Sequence, residues 1–196
     1  RRLTLIFRAY LAAAIITALL GILGYLGAIP GGEVFTRYGR AMGAFQDPNV
    51  FGPYLVLPAL YLMYGLLTGT LKAAPLRIIG LVILALGVFF SFSRAAWGLL
   101  PITMVLLVTT MLIKERTGAF RLKILVMTLI GTLLLVAAII VALQFDQIAD
   151  LFSDRAKLVQ SYDGARLGRF ERHAIGFLMA MEHPLGIGPL EFGLMW

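Results

Sequence analysis

The segment Ser91-Phe92-Ser93-Arg94-Ala95-Ala96-Trp97 sets one arginine between two apolar runs, each long enough to cross a bilayer. From Ile78 to Ile113 it is the only charged residue. A charge held at the centre of a hydrocarbon core costs about 2.5–3.5 kcal/mol on insertion scales. The chain must therefore turn here and bring Arg94 to a membrane surface, or bury it against a partner. No acid lies within helical reach of it in the sequence, which makes a ligand anion a candidate partner. Two readings stand. In one, Arg94 snorkels to lipid phosphates, while Trp97 joins an aromatic belt or holds the guanidinium through a cation–π contact. In the other, Arg94 binds a substrate phosphate with Ser93 beside it. Snorkelling needs no serines, and this weighs toward the second.

Two further polar groupings could take part in the same chemistry. Arg40-Ala-Met-Gly43-Ala-Phe-Gln-Asp47-Pro48-Asn49 immediately precedes an apolar run. Asp47 can cap a helix there, with Pro48 at its first position. Asn49, at the mouth of that run, could also donate hydrogen bonds to a sugar or a phosphate. The other grouping is Asp163-Gly-Ala-Arg166-Leu-Gly-Arg169-Phe-Glu-Arg172-His173, leading into Pro184-Leu-Gly186-Ile-Gly188-Pro189. On a helix, Arg166, Arg169 and His173 share a face. Asp163 can pair with Arg166. A basic stripe of this kind is a solvated face, a contact to anionic lipid, or a binding site for phosphate. The Pro-Leu-Gly-Ile-Gly-Pro run permits a tight backbone reversal.

The elements that must position these residues are membrane spans. Of 196 residues, 60% are hydrophobic and only 14% charged, with mean hydropathy +0.92. A soluble domain of this size could not cover so much apolar surface. The expected fold is all-α and polytopic, with about five transmembrane helices of near 20 residues each. They fall near Ala9–Ile29, Val50–Leu71, Leu76–Phe92, Ala95–Ile113 and Ile124–Phe145. Residues 1–145 thus form a transmembrane region. Residues 146–196 read as an amphipathic helical segment. With no initiator Met, the sequence reads as part of a longer protein.

Charge placement orients the spans. Arg1, Arg2, Arg8, Lys72, Arg77, Lys114, Arg116, Arg121 and Lys123 gather on one face, against Arg37, Arg40 and Arg94 in the short connections of the other. By the positive-inside rule the first face is cytoplasmic. The basic isoelectric point therefore records topology and not nucleic-acid binding. The Pro30–Asn49 loop, Arg94 and the C-terminal segment then share the outer face.

Other chemistries find little support. His173 and His183 are the only histidines and lack a carboxylate pattern suited to a metal. There is no Cys, no nucleophile elbow and no Walker loop. The interiors of the spans carry no acid, base or histidine, which weakens an ion-coupled transporter reading. No metal or cofactor is expected.

Three strings together carry a family resemblance: Arg40…Gly43…Phe45-Gln-Asp47-Pro48-Asn49-Val-Phe-Gly52, then Phe90-Ser-Phe-Ser-Arg94-Ala-Ala-Trp97, then Gly168-Arg169-Phe170 followed by Pro184-Leu-Gly-Ile-Gly188-Pro189-Leu-Glu-Phe192. In order and spacing the chain resembles part of the O-antigen ligase and polymerase superfamily of bacterial membrane glycosyltransferases. The resemblance implies a multi-pass protein of the bacterial inner membrane with its active face toward the periplasm, and makes residues 146–196 the start of a large periplasmic loop cut short at Trp196. Its implied activity is metal-independent transfer of a glycan from undecaprenyl diphosphate to an acceptor hydroxyl. The acceptor is a sugar of the lipid A core in ligases, or another lipid-linked unit in polymerases. It implies that Arg94 and Arg169 grip the diphosphate as the catalytic pair. Arg40, Asp47, Asn49, Ser93, Trp97, Arg166 and Arg172 are the accompanying substrate-binding candidates. The family's catalytic base, a histidine, lies after the Gly-rich turn; neither His173 nor His183 matches it, so the base is expected beyond Trp196. A non-enzymatic flippase or lipid-binding subunit is the rival outside this chemistry.

Overall fold

The computed structural model describes residues 2–114, 117–156, 169–186 and 188. The chain divides into two compact units, residues 1–156 and 157–196. The first holds α1 (Arg2–Tyr25), a two-stranded hairpin of β1 (Thr36–Arg37) and β2 (Arg40–Ala41), α2 (Pro48–Thr68), α3 (Ala74–Phe90), α4 (Arg94–Lys114), α5 (Gly118–Ala142) and α6 (Asp146–Ala156). In the second, α7 spans Arg169–Glu182. The protein is an all-α polytopic membrane protein. Helices α1, α2, α4 and α5 are long and apolar enough to cross a membrane, and α3 is a shorter apolar helix of 17 residues. At 1.5 Å per residue α3 is about 25 Å long, slightly less than the hydrocarbon thickness.

Helix α2 is the hub. It packs against α1, α3 and α4, and its Phe51, Leu55, Ala59 and Leu62 meet Ala14 and Ala18 of α1 and Leu84 and Val88 of α3 in one buried core. Lipid tails are as apolar as these side chains, so close packing, not hydrophobic exclusion, holds such helices together. Small residues make that approach possible: a Cβ at Gly87 would come within 2.7 Å of Leu55 Cδ1 and 3.2 Å of Ala18 Cβ. Helix α5, by contrast, leaves Leu129, Leu133 and Val141 exposed, as a lipid-facing span does.

Inside a bilayer every backbone polar group needs a protein partner, and the chain meets this requirement with particular side chains. Pro58 cannot donate to the carbonyl four residues earlier, Tyr54 O. The Tyr10 hydroxyl of α1 donates to that carbonyl at 2.6 Å instead. At the far end of α2, Arg77 Nη1 donates to Gly65 O at 2.5 Å and Lys123 Nζ to Gly69 O at 3.3 Å. Two basic residues that count toward topology in the sequence therefore also cap the carbonyl end of a helix, where positive charge is favoured.

At the opposite end, α1 stops at Tyr25, four residues short of the hydropathy limit at Ile29. Gly27 takes φ 65°, with Gly27 N donating to Gly24 O and Ala28 N to Leu23 O, the bond pair of a glycine-terminated helix. The following loop folds back on the bundle, where Ala44 N donates to the Thr17 hydroxyl at 2.8 Å. Within it Tyr38 and Gly39, both at positive φ, turn the small hairpin. The sequence reading contains no such strand pair, since two-residue strands leave no alternation to detect. Helix α6 belongs with this end. Its Ile148 is buried and its Phe152 lies against Trp97.

Candidate functional site

The Ser91–Arg94 corner is built from the backbone outward. Helix α3 ends at Phe90, and Phe92 then adopts φ 45°, a left-handed conformation rare for a bulky residue. Burial holds it there: Phe92 is 1% exposed, with its ring beside Tyr25, Phe89 and Trp97. The two serines bracket this strained residue. Ser91 Oγ donates to Val88 O at 2.6 Å and accepts from Ser93 N at 3.2 Å. Ser93 Oγ faces Ala96 N at 3.5 Å, and its carbonyl accepts from Trp97 N at 2.9 Å, so Ser93 stands as the cap of α4. Both serines are buried. Their hydroxyls serve the turn, which removes the argument that the serines themselves point to phosphate.

Arg94 is thereby the first residue of α4, and it is half-buried. A helix start carries partial positive charge from its unpaired backbone N–H groups, and an arginine as its first residue adds a full positive charge to that end. Trp97 closes the corner. Its indole Nε1 donates to Val88 O at 3.2 Å and Phe89 O at 3.1 Å, satisfying carbonyls at the end of α3. Its ring stacks on Phe89 at 5.9 Å and meets Phe152 of α6 at 5.2 Å.

A buried arginine braces this corner from below. Arg40, on β2, is 5% exposed; its Nε donates to Ser91 O at 2.7 Å and its Nη2 to Asn49 Oδ1 at 2.9 Å. One guanidinium so ties the hairpin, the end of α3 and the start of α2 together. Asp47 caps α2, accepting from Asn49 N at 2.6 Å, with Pro48 at the first helical position. Arg37 Nη1 donates to Gln46 O at 2.8 Å and fixes the approach to that cap. The structure thus brings Arg40, Asp47, Asn49, Ser93, Arg94 and Trp97 to one end of the bundle. It also gives Arg40, Asp47, Ser93 and Trp97 backbone partners of their own.

Sequence reasoning missed two features here. The left-handed Phe92 has no signature in its residue type. Gly52 of α2 faces the corner so closely that a Cβ would lie 2.6 Å from Ser91 Oγ and 2.8 Å from Ala96 Cβ. Among the described residues, no three metal-ligating side chains come together.

In the second unit, Arg169 begins α7 and Arg172 and His173 follow on it, the latter two exposed. Arg166 lies outside the described residues. Beyond the helix, Gly186 N donates to His183 O at 2.8 Å, and Gly186 and Gly188 take φ 83° and 96°. The bond from Gly186 N to His183 O closes a turn just after α7, and both glycines hold the left-handed backbone that such a turn favours.

The fold and this corner define a multi-pass helical membrane protein in which Arg40, Asp47, Asn49, Ser93, Arg94 and Trp97 gather at one end of the bundle. The family model Wzy_C, O-antigen ligase, matches residues 79–195, from α3 through the second unit, and the chain belongs to this family of membrane ligases and polymerases. The match takes in both Arg94 and Arg169, while the Arg40–Asn49 string lies ahead of it. No curated protein and no solved structure matches the chain.

Proposed function

We propose that this chain transfers a glycan from undecaprenyl diphosphate to an acceptor hydroxyl on the periplasmic face of the bacterial inner membrane, without a metal. The lipid A core is the ligase-type acceptor; a second lipid-linked unit would make the same chemistry a polymerase. The observation that carries the reading is the corner itself. Arg94 occupies the first position of α4, over a turn braced by Arg40 and two serines, in a chain of the O-antigen ligase family. An arginine fork donates two hydrogen bonds to phosphate oxygens, and the helix N-terminus adds partial positive charge. Negative charge grows on the diphosphate as the glycosidic bond breaks, so donors set there beforehand lower the barrier.

Arg169, at the start of α7, is the proposed second phosphate ligand, with Arg166 and Arg172 as auxiliary contacts. Asn49, exposed and bonded through its amide oxygen, is the polar contact at the mouth of α2. Arg40, Asp47, Ser93 and Trp97 act in this scheme mainly by holding Arg94 and Asn49 in place. The base that takes the acceptor proton is assigned to neither His173 nor His183.

The test is complementation with Arg94→Ala and Arg169→Ala in the full-length protein. Each variant is expected to insert into the membrane at normal levels and to lose long-chain surface polysaccharide. Wild-type polysaccharide from either one would sink that residue's assignment. The pattern left by a null strain, single capped units or none attached, distinguishes polymerase from ligase.

A further inference from the structure

The carbonyl end of α2 draws positive charge from two other helices. Arg77 of α3 donates from Nη1 to Gly65 O at 2.5 Å, and Lys123 of α5 donates from Nζ to Gly69 O at 3.3 Å. Gly65 and Gly69, the residue just past the helix, are four residues apart, about 6 Å along the axis. Both cations are thus held at one helix end. Glycine makes the room: a Cβ on Gly65 would stand 3.3 Å from Arg77 Nε, and one on Gly69 would overlap the guanidinium. Lys123 Nζ also lies 5.6 Å from the centre of the Phe120 ring. Both side chains are half-buried, and each sits about a turn inside its own helix, since α3 begins at Ala74 and α5 at Gly118.

Their charge exceeds what the helix end balances. A helix C-terminus carries about half a negative charge, against two full positive ones here. Neighbouring elements do not make up the difference. Residues 2–8, 65–78, 111–114 and 117–124 form this end of the bundle and hold seven basic residues and no acid. Between Asp47 and Asp146 the sequence has a single acid, Glu115.

Next to the cations the surface is apolar. Leu76 and Ile79 of α3 are exposed, as are Leu122, Leu125 and Val126 of α5. Cations at the ends of spans, with bare apolar side chains on the same helices, match the layout of a phospholipid, whose phosphate tops two acyl chains. We propose that Arg77 and Lys123 form a binding site for the phosphate of an anionic membrane lipid, with its acyl chains along α3 and α5. A guanidinium fork and an ammonium point charge together serve several oxygens of one phosphate. A free phosphate ion shares that chemistry but gains nothing from the apolar side chains. The site lies at the opposite end of α4 from Arg94 and is independent of the transfer reaction.

Native mass spectrometry of the detergent-purified full protein reads the binding. The protein is titrated with dioleoyl phosphatidylglycerol, with dioleoyl phosphatidylcholine as the zwitterionic lipid of the same chains, and with sodium phosphate. Phosphatidylglycerol should bind more tightly than phosphatidylcholine, and sodium phosphate at equal concentration should not displace it. Arg77→Gln with Lys123→Gln removes both charges, yet leaves each position an amide N–H for the helix carbonyls. A basic residue near a membrane surface is worth about fivefold in anionic-lipid affinity, so the pair should lose about 25-fold for phosphatidylglycerol and little for phosphatidylcholine. Lys123→Gln alone gives up one long bond, which the fold should survive, and loses about fivefold. Arg94→Ala should bind phosphatidylglycerol as the unaltered protein does. Equal affinity for the two lipids, or an undiminished preference in Lys123→Gln and the double variant, overturns the proposal. So does loss of the preference in Arg94→Ala alone, which would put the lipid at the other end of the bundle. Displacement by sodium phosphate at equal concentration overturns the lipid assignment in favour of a free anion.

Discussion

Replacing Arg40 by Met tests how the Arg94 corner is held. Methionine keeps most of the length and apolar body of the side chain and removes the guanidinium. Two hydrogen bonds from a charged donor disappear, one to Ser91 O at 2.7 Å and one to Asn49 Oδ1 at 2.9 Å. Bonds of this kind contribute about 1.5–3 kcal/mol each, so the gross loss is about 3–6 kcal/mol. Against it stands the relief of no longer burying a charge that is only 5% exposed, which recovers several kcal/mol. The expected net loss is about 1–3 kcal/mol, confined to the joint between the hairpin, the end of α3 and the start of α2. That shifts the local opening equilibrium by roughly 5- to 150-fold. Hydrogen exchange of the purified protein reads it directly: the amides of Ser93, Ala96 and Trp97 should exchange faster by a factor in that range, while the α5 amides are unchanged. Glycan transfer should fall in parallel. Faster exchange with full transfer would show that the corner tolerates loosening. Unaltered exchange with lost transfer would show that Arg40 touches substrate, and would refute its role as a brace.

Three further changes probe the framework. Tyr10→Phe leaves Tyr54 O without its donor above Pro58, and thermal unfolding in detergent should show a loss of about 1–3 kcal/mol; an unchanged midpoint would mean the carbonyl finds another partner. Asp47→Ala should lower stability by about 1 kcal/mol through the lost cap on α2, and Asp47→Ser should restore it; loss of transfer in both variants at full stability would argue for substrate contact instead. Gly52→Ala forces a methyl toward Ser91 Oγ and Ala96 Cβ, with an expected cost of about 1–3 kcal/mol and reduced transfer; wild-type transfer would show that the corner can move aside.

Periodicity and charge go far in this chain because the bilayer enforces them. A run of apolar residues near bilayer length, bounded by charges or by glycine and proline, has few alternatives to a spanning helix. The all-helical polytopic fold, the turn between Ser91 and Arg94, and the cap formed by Asp47 and Pro48 are all readable on that basis. So is the family, through the residues around Arg94 and the Gly-rich run after His183, and the match over residues 79–195 agrees with it. These are local properties, set by residues close together in the chain.

What tertiary structure decided is which polar groups spend their hydrogen bonds on the protein. Arg40 and Ser91 are far apart in sequence, and nothing in either residue announces that the guanidinium will cap that carbonyl. The same holds for Tyr10 on Tyr54 O and for Arg77 on Gly65 O, where the need arises from a proline or a helix end and is met from another helix. Packing also chose the left-handed Phe92, since only a ring buried among Tyr25, Phe89 and Trp97 offsets that backbone strain. The sequence by itself determined that an arginine stands at the turn between two apolar helices. The fold determined that Arg40, Ser91, Ser93 and Trp97 hold that turn, because a buried polar group must find its partner wherever the chain brings one within reach.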